Sequence, residues 1–143
     1  MIEKIYHFPL EKKEVISLLR EHGITPTRQR LEIALSLFQK QQHLSAERIL
    51  DNVNLLGHQV SRATVYNTMG LFASKGLVRE VLIDRERVFY DSNSLPHHHI
   101  YNVDTGELSD VESSSDMNLT NIQGLPEGCR VVGTDVVIKV SQS

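Results

Sequence analysis

Apolar positions in the first half of the chain recur with helical spacing. In "LEKKEVISLLREHG", Leu10, Val15, Leu18 and Leu19 fall near one face, and Gly23 follows at the place where a helix end favours a residue that accepts positive φ. In "TPTRQRLEIALSLFQK", Leu31, Ala34, Leu35 and Phe38 stand at i, i+3, i+4 and i+7, with Pro26 near the start, where a helix tolerates it. "HLSAERILDNVNLLG" sets Ala46, Ile49, Leu50 and Val53 as a buried stripe behind Ser45, a candidate N-cap, and ends at Gly57. "VSRATVYNTMGLFASKG" starts at a second candidate cap, Ser61, buries Val65, Met69 and Phe72, and stops at Gly76. The last two segments, joined by a short turn, are a predicted helix-turn-helix.

The period then shortens. "LVREVLIDRERVFYD" reads as two strands around the charged turn "DRER", and a hairpin after such helices makes a winged helix. Further on come two short strands, "HHIYNV" and "ELSDV", a polar loop "ESSSDMNLTN", and a last strand over "RVVGTDVVIKV". The fold class expected is α+β: a winged helix-turn-helix DNA-binding domain over residues 1–91, a hinge "SNSLP" at 92–96, and a small C-terminal domain over 97–143.

Charge sharpens this division. Residues 1–90 hold 13 Lys/Arg against 10 Asp/Glu, whereas 91–143 hold 2 against 8. A basic half joined to an acidic half suits a DNA-facing domain followed by one that binds cations or pairs with itself. The N-terminal stretch "MIEKIYHFPLEKKEV" is too charged for a signal-peptide core and no run of apolar residues is long enough to span a membrane, so the expected location is the cytoplasm. Cys129 is the only cysteine, which leaves metal chemistry to histidines and carboxylates.

On the fourth predicted helix, Ala63 and Asn67 lie opposite the buried stripe, flanked by Thr64 and Tyr66, with Arg62 in the first turn. Small, amide and guanidinium side chains near a helix N-terminus suit a major groove, where methyl contacts read thymine and polar groups read base edges. Arg28 and Arg30 open the second helix, and Arg85 and Arg87 occupy the hairpin turn, where they can reach phosphates or the minor groove.

The run His97, His98, His99 lies in a predicted strand, where His97 and His99 point one way and His98 the other. If "HHIYNV" and "ELSDV" pair through a turn at Asp104 to Gly106, His99 and Asp110 come roughly opposite. Asp91, across the hinge, and His43, before the third helix, complete a candidate set of three imidazoles and two carboxylates. Such N/O donors favour Mn(II), Fe(II) or Zn(II). A site drawing on both domains would couple ion binding to their orientation.

"PTRQR", "HLSAE", "RATVYNTM", "KGLV" and "HHHIYNVDTGEL", in that order, resemble the ferric uptake regulator (Fur) family of metal-dependent transcription factors over nearly the whole chain. "PTRQR", "FYDSNS" running into the histidines, and "LPEGCRVVGTDVVIKV" are similar to its iron response regulator (Irr) branch. The resemblance implies a homodimer, with a winged helix on DNA and a C-terminal α/β dimerisation domain. It also places His43, Asp91, His97, His99 and Asp110 at the family's regulatory metal site, with Fe(II) or Mn(II) as the ion and Zn(II) in purified protein. In the Irr branch the histidine run is implicated in haem binding, which makes His97, His98 and His99 haem candidates. The structural zinc that many members hold through two C-x-x-C pairs has no counterpart, since Asn102 and Thr105 stand where the first pair would be and the second pair is missing. Cys129 is followed by Arg130, so a Cys-Pro haem motif is absent.

The expected function is a metal- or haem-responsive repressor of iron-homeostasis genes, in which Arg62, Thr64, Tyr66 and Asn67, supported by Arg28 and Arg30, read an AT-rich pseudo-palindrome. A regulator of manganese or peroxide response that ignores haem is the alternative within the family. Outside it stand a hydrolytic metal site, for which no general base is evident, and a DNA binder indifferent to metal.

Overall fold

The computed structural model describes residues 7–57, 59–93, 97–112 and 122–142. The chain divides into two compact units, Met1–Leu95 and Pro96–Ser143. Helices and a small sheet build the first unit and strands the second, an α+β arrangement.

In the first unit, α1 (Lys12–Glu21), α2 (Arg28–Leu37), α3 (Ala46–Leu55) and α4 (Arg62–Ser74) surround one apolar core. Their starts are set by hydroxyls. Thr27, Ser45 and Ser61 each accept a hydrogen bond from the backbone N–H three residues on, at Arg30, Arg48 and Thr64, which satisfies a group that the helix itself leaves unpaired. The ends of α1 and α4 follow one pattern: Gly23 and Gly76 take φ of 72° and 76°, and the next residue, Ile24 or Leu77, returns its N–H to Leu19 or Phe72 at 2.9 Å. Both apolar residues are thereby turned into the core.

The stripes expected on the first and fourth helices are buried as read: Val15, Leu18 and Leu19 on α1, with Leu10 just ahead of it, and Val65, Met69 and Phe72 on α4. Two stripes need correction. On α2 the deepest side chains are Ile33, Ala34, Leu37 and Phe38, while Leu31 and Leu35 only flank the core; on α3, Leu50 is likewise partly buried beside Ala46, Ile49 and Val53. The apolar face of α2 is wider than a single row, because α1, α3 and α4 all pack against it.

The wing is β2 (Arg79–Leu82) and β3 (Val88–Asp91), antiparallel around the expected "DRER" turn. Asp84 holds that turn by accepting from the N–H groups of Glu86 and Arg87 at 3.0 and 2.9 Å. A third strand, β1 (His43–Ser45), pairs with the other side of β3, giving the order β1-β3-β2. The sequence pattern before α3 predicts only a helix cap; Ser45 serves as both the end of β1 and the cap of α3. Ser92, expected in the hinge, is instead buried and fixed to the first unit, its hydroxyl accepting from the Gln42 N–H at 3.1 Å. Asn93, next in the expected hinge, donates its N–H to Asp91, and 94–96 lie outside the described residues.

In the second unit, β4 (His99–Asn102) pairs antiparallel with β5 (Leu108–Asp110) and parallel with β6 (Val137–Val140), in the order β5-β4-β6. The turn between β4 and β5 falls where expected. Asn102 Oδ1 accepts from the N–H groups of Asp104 and Thr105, and Gly106 takes φ of 75°. The last strand is shorter than the expected one over 130–140: residues 130–135 are exposed and outside any strand, since ladder pairing begins only opposite His99. The polar loop falls almost wholly, at 113–121, outside the described residues. No described helix is long and apolar enough to cross a membrane.

Candidate functional site

The five candidate ligands are divided between the units, His43 and Asp91 in the first and His97, His99 and Asp110 in the second. In the first unit, register sets the pairing: β1 lies against β3 with His43 directly opposite Asp91, and His43 Nε2 stands 3.1 Å from Asp91 Oδ2. Asp91 is fully buried, and its other oxygen accepts from the Asn93 N–H at 2.9 Å. A buried carboxylate needs such partners to offset the loss of water around its charge.

In the second unit, β4 carries His99 opposite Asp110 of β5, as expected from the hairpin. One carboxylate oxygen, Asp110 Oδ1, lies 3.0 Å from His97 Nε2 and 3.5 Å from His99 Nε2, and the two imidazole rings stand 4.4 Å apart. His98 turns away, its Nδ1 accepting from the Val136 N–H at 3.2 Å. The triplet is thus divided just ahead of and at the start of β4: His97 and His99 share Asp110, and His98 bonds the segment leading into β6.

Each unit brings together imidazole and carboxylate donors of the kind a divalent cation takes. In each, Nε2 of an imidazole points at a carboxylate oxygen, the arrangement in which a metal ion can take the place of the bridging proton. In the second unit, donor atoms of His97, His99 and Asp110 lie within 4.8 Å of one another, close enough to converge on one ion. Nitrogen and carboxylate donors without thiolate match Mn(II), Fe(II) or Zn(II).

The predicted DNA-facing residues all belong to the first unit. On α4, Arg62, Ala63, Tyr66 and Asn67 are exposed, opposite Val65, Met69 and Phe72. Thr64 is half-buried, with its hydroxyl 2.9 Å from that of Ser61, so its Oγ1 is engaged at the helix start. Arg28 is exposed beside Glu32 at 3.1 Å, and Arg30 is partly exposed, its Nη1 donating to the Thr25 carbonyl at 3.0 Å. On the wing, Arg85 is exposed and Arg87 pairs with Asp84. The Arg87 hydrogen bond, then the Glu86 backbone N–H, hold the Asp84 carboxyl below its usual range. Tyr90, at the base of the wing, is pushed up by burial and, less, by the charges of Glu80 and Tyr66, and stays protonated at neutral pH.

One residue escaped sequence reasoning. Glu47, in the first turn of α3, accepts a hydrogen bond from the Tyr66 hydroxyl at 3.0 Å through Oε1, and the same oxygen pairs with the Arg62 guanidinium. An acid in a helix's first turn reads as an ordinary partner of the helix dipole, and nothing in the sequence signals a contact across 19 positions.

Comparison with known proteins agrees with this architecture. Residues 21–138 match the model of the "Ferric uptake regulator family". The chain is 32% identical over 111 residues to the peroxide-responsive repressor PerR of Staphylococcus aureus strain Mu50, covering 78% of this chain and 73% of that protein. It is similar in structure to the ferric uptake regulator of Pseudomonas aeruginosa solved with manganese, at a TM-score of 0.66 and 26% identity, covering 88% of this chain and 96% of that one. The Vibrio cholerae ferric uptake regulator shares the fold at a TM-score of 0.67 and 23% identity, over 88% and 98% of the two chains. With the family match spanning most of the sequence, and the winged helix and histidine–aspartate clusters in place, this chain belongs to the ferric uptake regulator family of metal-responsive transcription regulators.

Proposed function

We propose that this protein is a dimeric, sequence-specific DNA-binding repressor of iron-homeostasis genes, acting in the cytoplasm, whose DNA affinity is set by Fe(II) or Mn(II). His43 and Asp91 from the first unit and His97, His99 and Asp110 from the second would hold the ion together, and Zn(II) would occupy the same ligands in purified protein. The observation that carries the reading is the convergence of His97 and His99 on one oxygen of Asp110, a ready-made half of a cation site beside a winged-helix sequence. A bound ion would supply the positive charge that these nitrogen and carboxylate donors are suited to hold. The protein's part is to place a half-site at the base of its wing, where β1 meets β3, and another on the β4–β5 hairpin. Ion binding then favours whichever arrangement of the units lets the halves meet.

Arg62, Tyr66 and Asn67 would read base edges in an AT-rich pseudo-palindrome. Arg28 and Arg30 would hold phosphates, and Thr64 would act chiefly in fixing the helix start. Members of the family are transcription regulators rather than enzymes, and we read the histidine–aspartate clusters as regulatory, not hydrolytic.

A second reading, a manganese- or peroxide-responsive repressor that ignores haem, is favoured by one observation. His98 already spends Nδ1 on the Val136 N–H, and His97 and His99 are engaged with Asp110, so haem would have to compete for the same imidazoles. The likeness to a peroxide-responsive repressor points the same way. Fluorescence anisotropy of a labelled duplex from the protein's own promoter, at fixed salt, separates these readings. Metal-free protein should bind weakly and Mn(II)-loaded protein tightly. Release by haem supports the iron-homeostasis reading, indifference to haem supports the second, and equal binding with and without metal overturns both.

A further inference from the structure

Glu47 stands between two of the side chains assigned to the DNA-facing helix. Arg62 and Tyr66 lie one turn apart on α4, so both project along the same strip, and both end on Oε1 of Glu47. The three residues are substantially exposed: Arg62 and Glu47 keep 63% and 49% of their side-chain surface in water, and Tyr66 is 44% exposed. An exposed ion pair of this kind contributes little to folding. Its larger effect is on what Arg62 and Tyr66 can do at the surface.

Two consequences follow from the chemistry. A hydrogen bond to a carboxylate is stronger than one to a neutral acceptor and fixes the phenol ring in one orientation, which suits a ring meant to meet a thymine methyl. The same carboxylate neutralises Arg62 and places negative charge beside a helix that would face phosphates, so it weakens sequence-independent attraction.

We infer that Glu47 is a specificity-determining positioning residue, holding Tyr66 for base reading and withholding Arg62 from the phosphates of non-cognate DNA. The inference rests on the reading of α4 as the DNA-facing helix. Glu47 lowers affinity for the wrong duplexes while keeping Tyr66 placed for the right one, which is how a repulsive element raises selectivity.

The test uses the full chain with excess Mn(II) and two labelled duplexes, one recovered by in vitro selection on the wild-type protein and one shuffled from it. Binding is measured across a range of salt concentrations. Glu47→Gln and Glu47→Ala should both tighten binding to the shuffled duplex and steepen the plot of log affinity against log salt by about 1, as Arg62 becomes available to a phosphate. Glu47→Ala should also lose about fivefold or more of the selected-to-shuffled ratio. Glu47→Gln, which keeps an acceptor for the Tyr66 hydroxyl, should retain most of that ratio. Tyr66→Phe should lose the ratio with the salt slope unchanged. If Glu47→Ala keeps the wild-type slope and ratio while Tyr66→Ala loses selectivity, Glu47 is an ordinary surface acid and the inference is overturned. If Tyr66→Ala is itself as selective as wild type, the DNA-reading assignment of α4 fails and takes the inference with it.

Discussion

At the scale of single residues, the chemistry of this protein turns on carboxylates and what they are given to hold. Asp110 accepts two imidazoles on one oxygen, so removing it leaves both His97 and His99 without their common anionic partner. Since loss of a supporting partner behind a metal ligand already costs 10- to 100-fold in affinity, Asp110→Ala or His97→Ala should weaken Mn(II) binding by about 100-fold or more. Isothermal titration calorimetry of the folded variants checks this; wild-type affinity in either would remove the residue from the site. Asp84 makes a different prediction. Its carboxyl is held below the ordinary value of 3.8, first by Arg87 and then by the Glu86 N–H. A depressed carboxyl stabilises the folded wing at pH values above that ordinary value, and the contribution fades as pH falls through the lower, folded-state value. An NMR titration should place the Asp84 midpoint below 3.8, and Arg87→Ala should move it back up.

At the scale of elements, local chemistry decides where helices begin, and packing decides which faces they bury. Ser61 caps α4 through the Thr64 N–H and also contacts the Thr64 hydroxyl. Ser61→Ala should cost about 1 kcal/mol of stability, read as a lower urea midpoint with an unchanged denaturant slope. Phe72 is completely buried from α4 into the core that α1, α2 and α3 share, so Phe72→Ala should cost about 3–5 kcal/mol, enough to threaten the fold of the whole unit. The α4 stripe is legible in the sequence because one row of apolar residues at helical spacing meets one core. A single row is too narrow for α2, since a helix packed on several sides buries positions, such as Ile33 and Leu37, that such a pattern leaves outside. The strand β1 is not legible at all. Three residues carry no usable alternation, and "HLS" is a strand only because β3 offers it a ladder.

At the scale of the whole molecule, the proposed function is a coupling between ion binding and DNA binding carried by two units of opposite charge. Tyr66→Ala or Asn67→Ala should weaken binding to the selected duplex by about 1–3 kcal/mol for each base interaction removed, with little effect on a shuffled one. Chelation of the metal should release wild-type protein from the same duplex, and Asp110→Ala should bind it as weakly as chelated wild type. Anisotropy titrations with and without chelator test both; tight binding by Asp110→Ala would separate DNA recognition from the metal.

The division of labour between sequence and tertiary structure has a plain physical basis. Helix positions, their glycine stops, the serine caps, the wing turn and the β4–β5 hairpin are written in the sequence because each depends on residues within a few positions of one another. The same locality makes His99 and Asp110 readable as opposite partners, since one turn fixes their register. Three features need the folded chain. The partnership of His43 with Asp91 depends on the pairing of two strands far apart in sequence, the anchoring of Ser92 to Gln42 removes it from the expected hinge, and the hold of Glu47 on Arg62 and Tyr66 joins side chains of two different helices. Each is an interaction between segments distant in sequence, and only the packing that brings those segments together determines it.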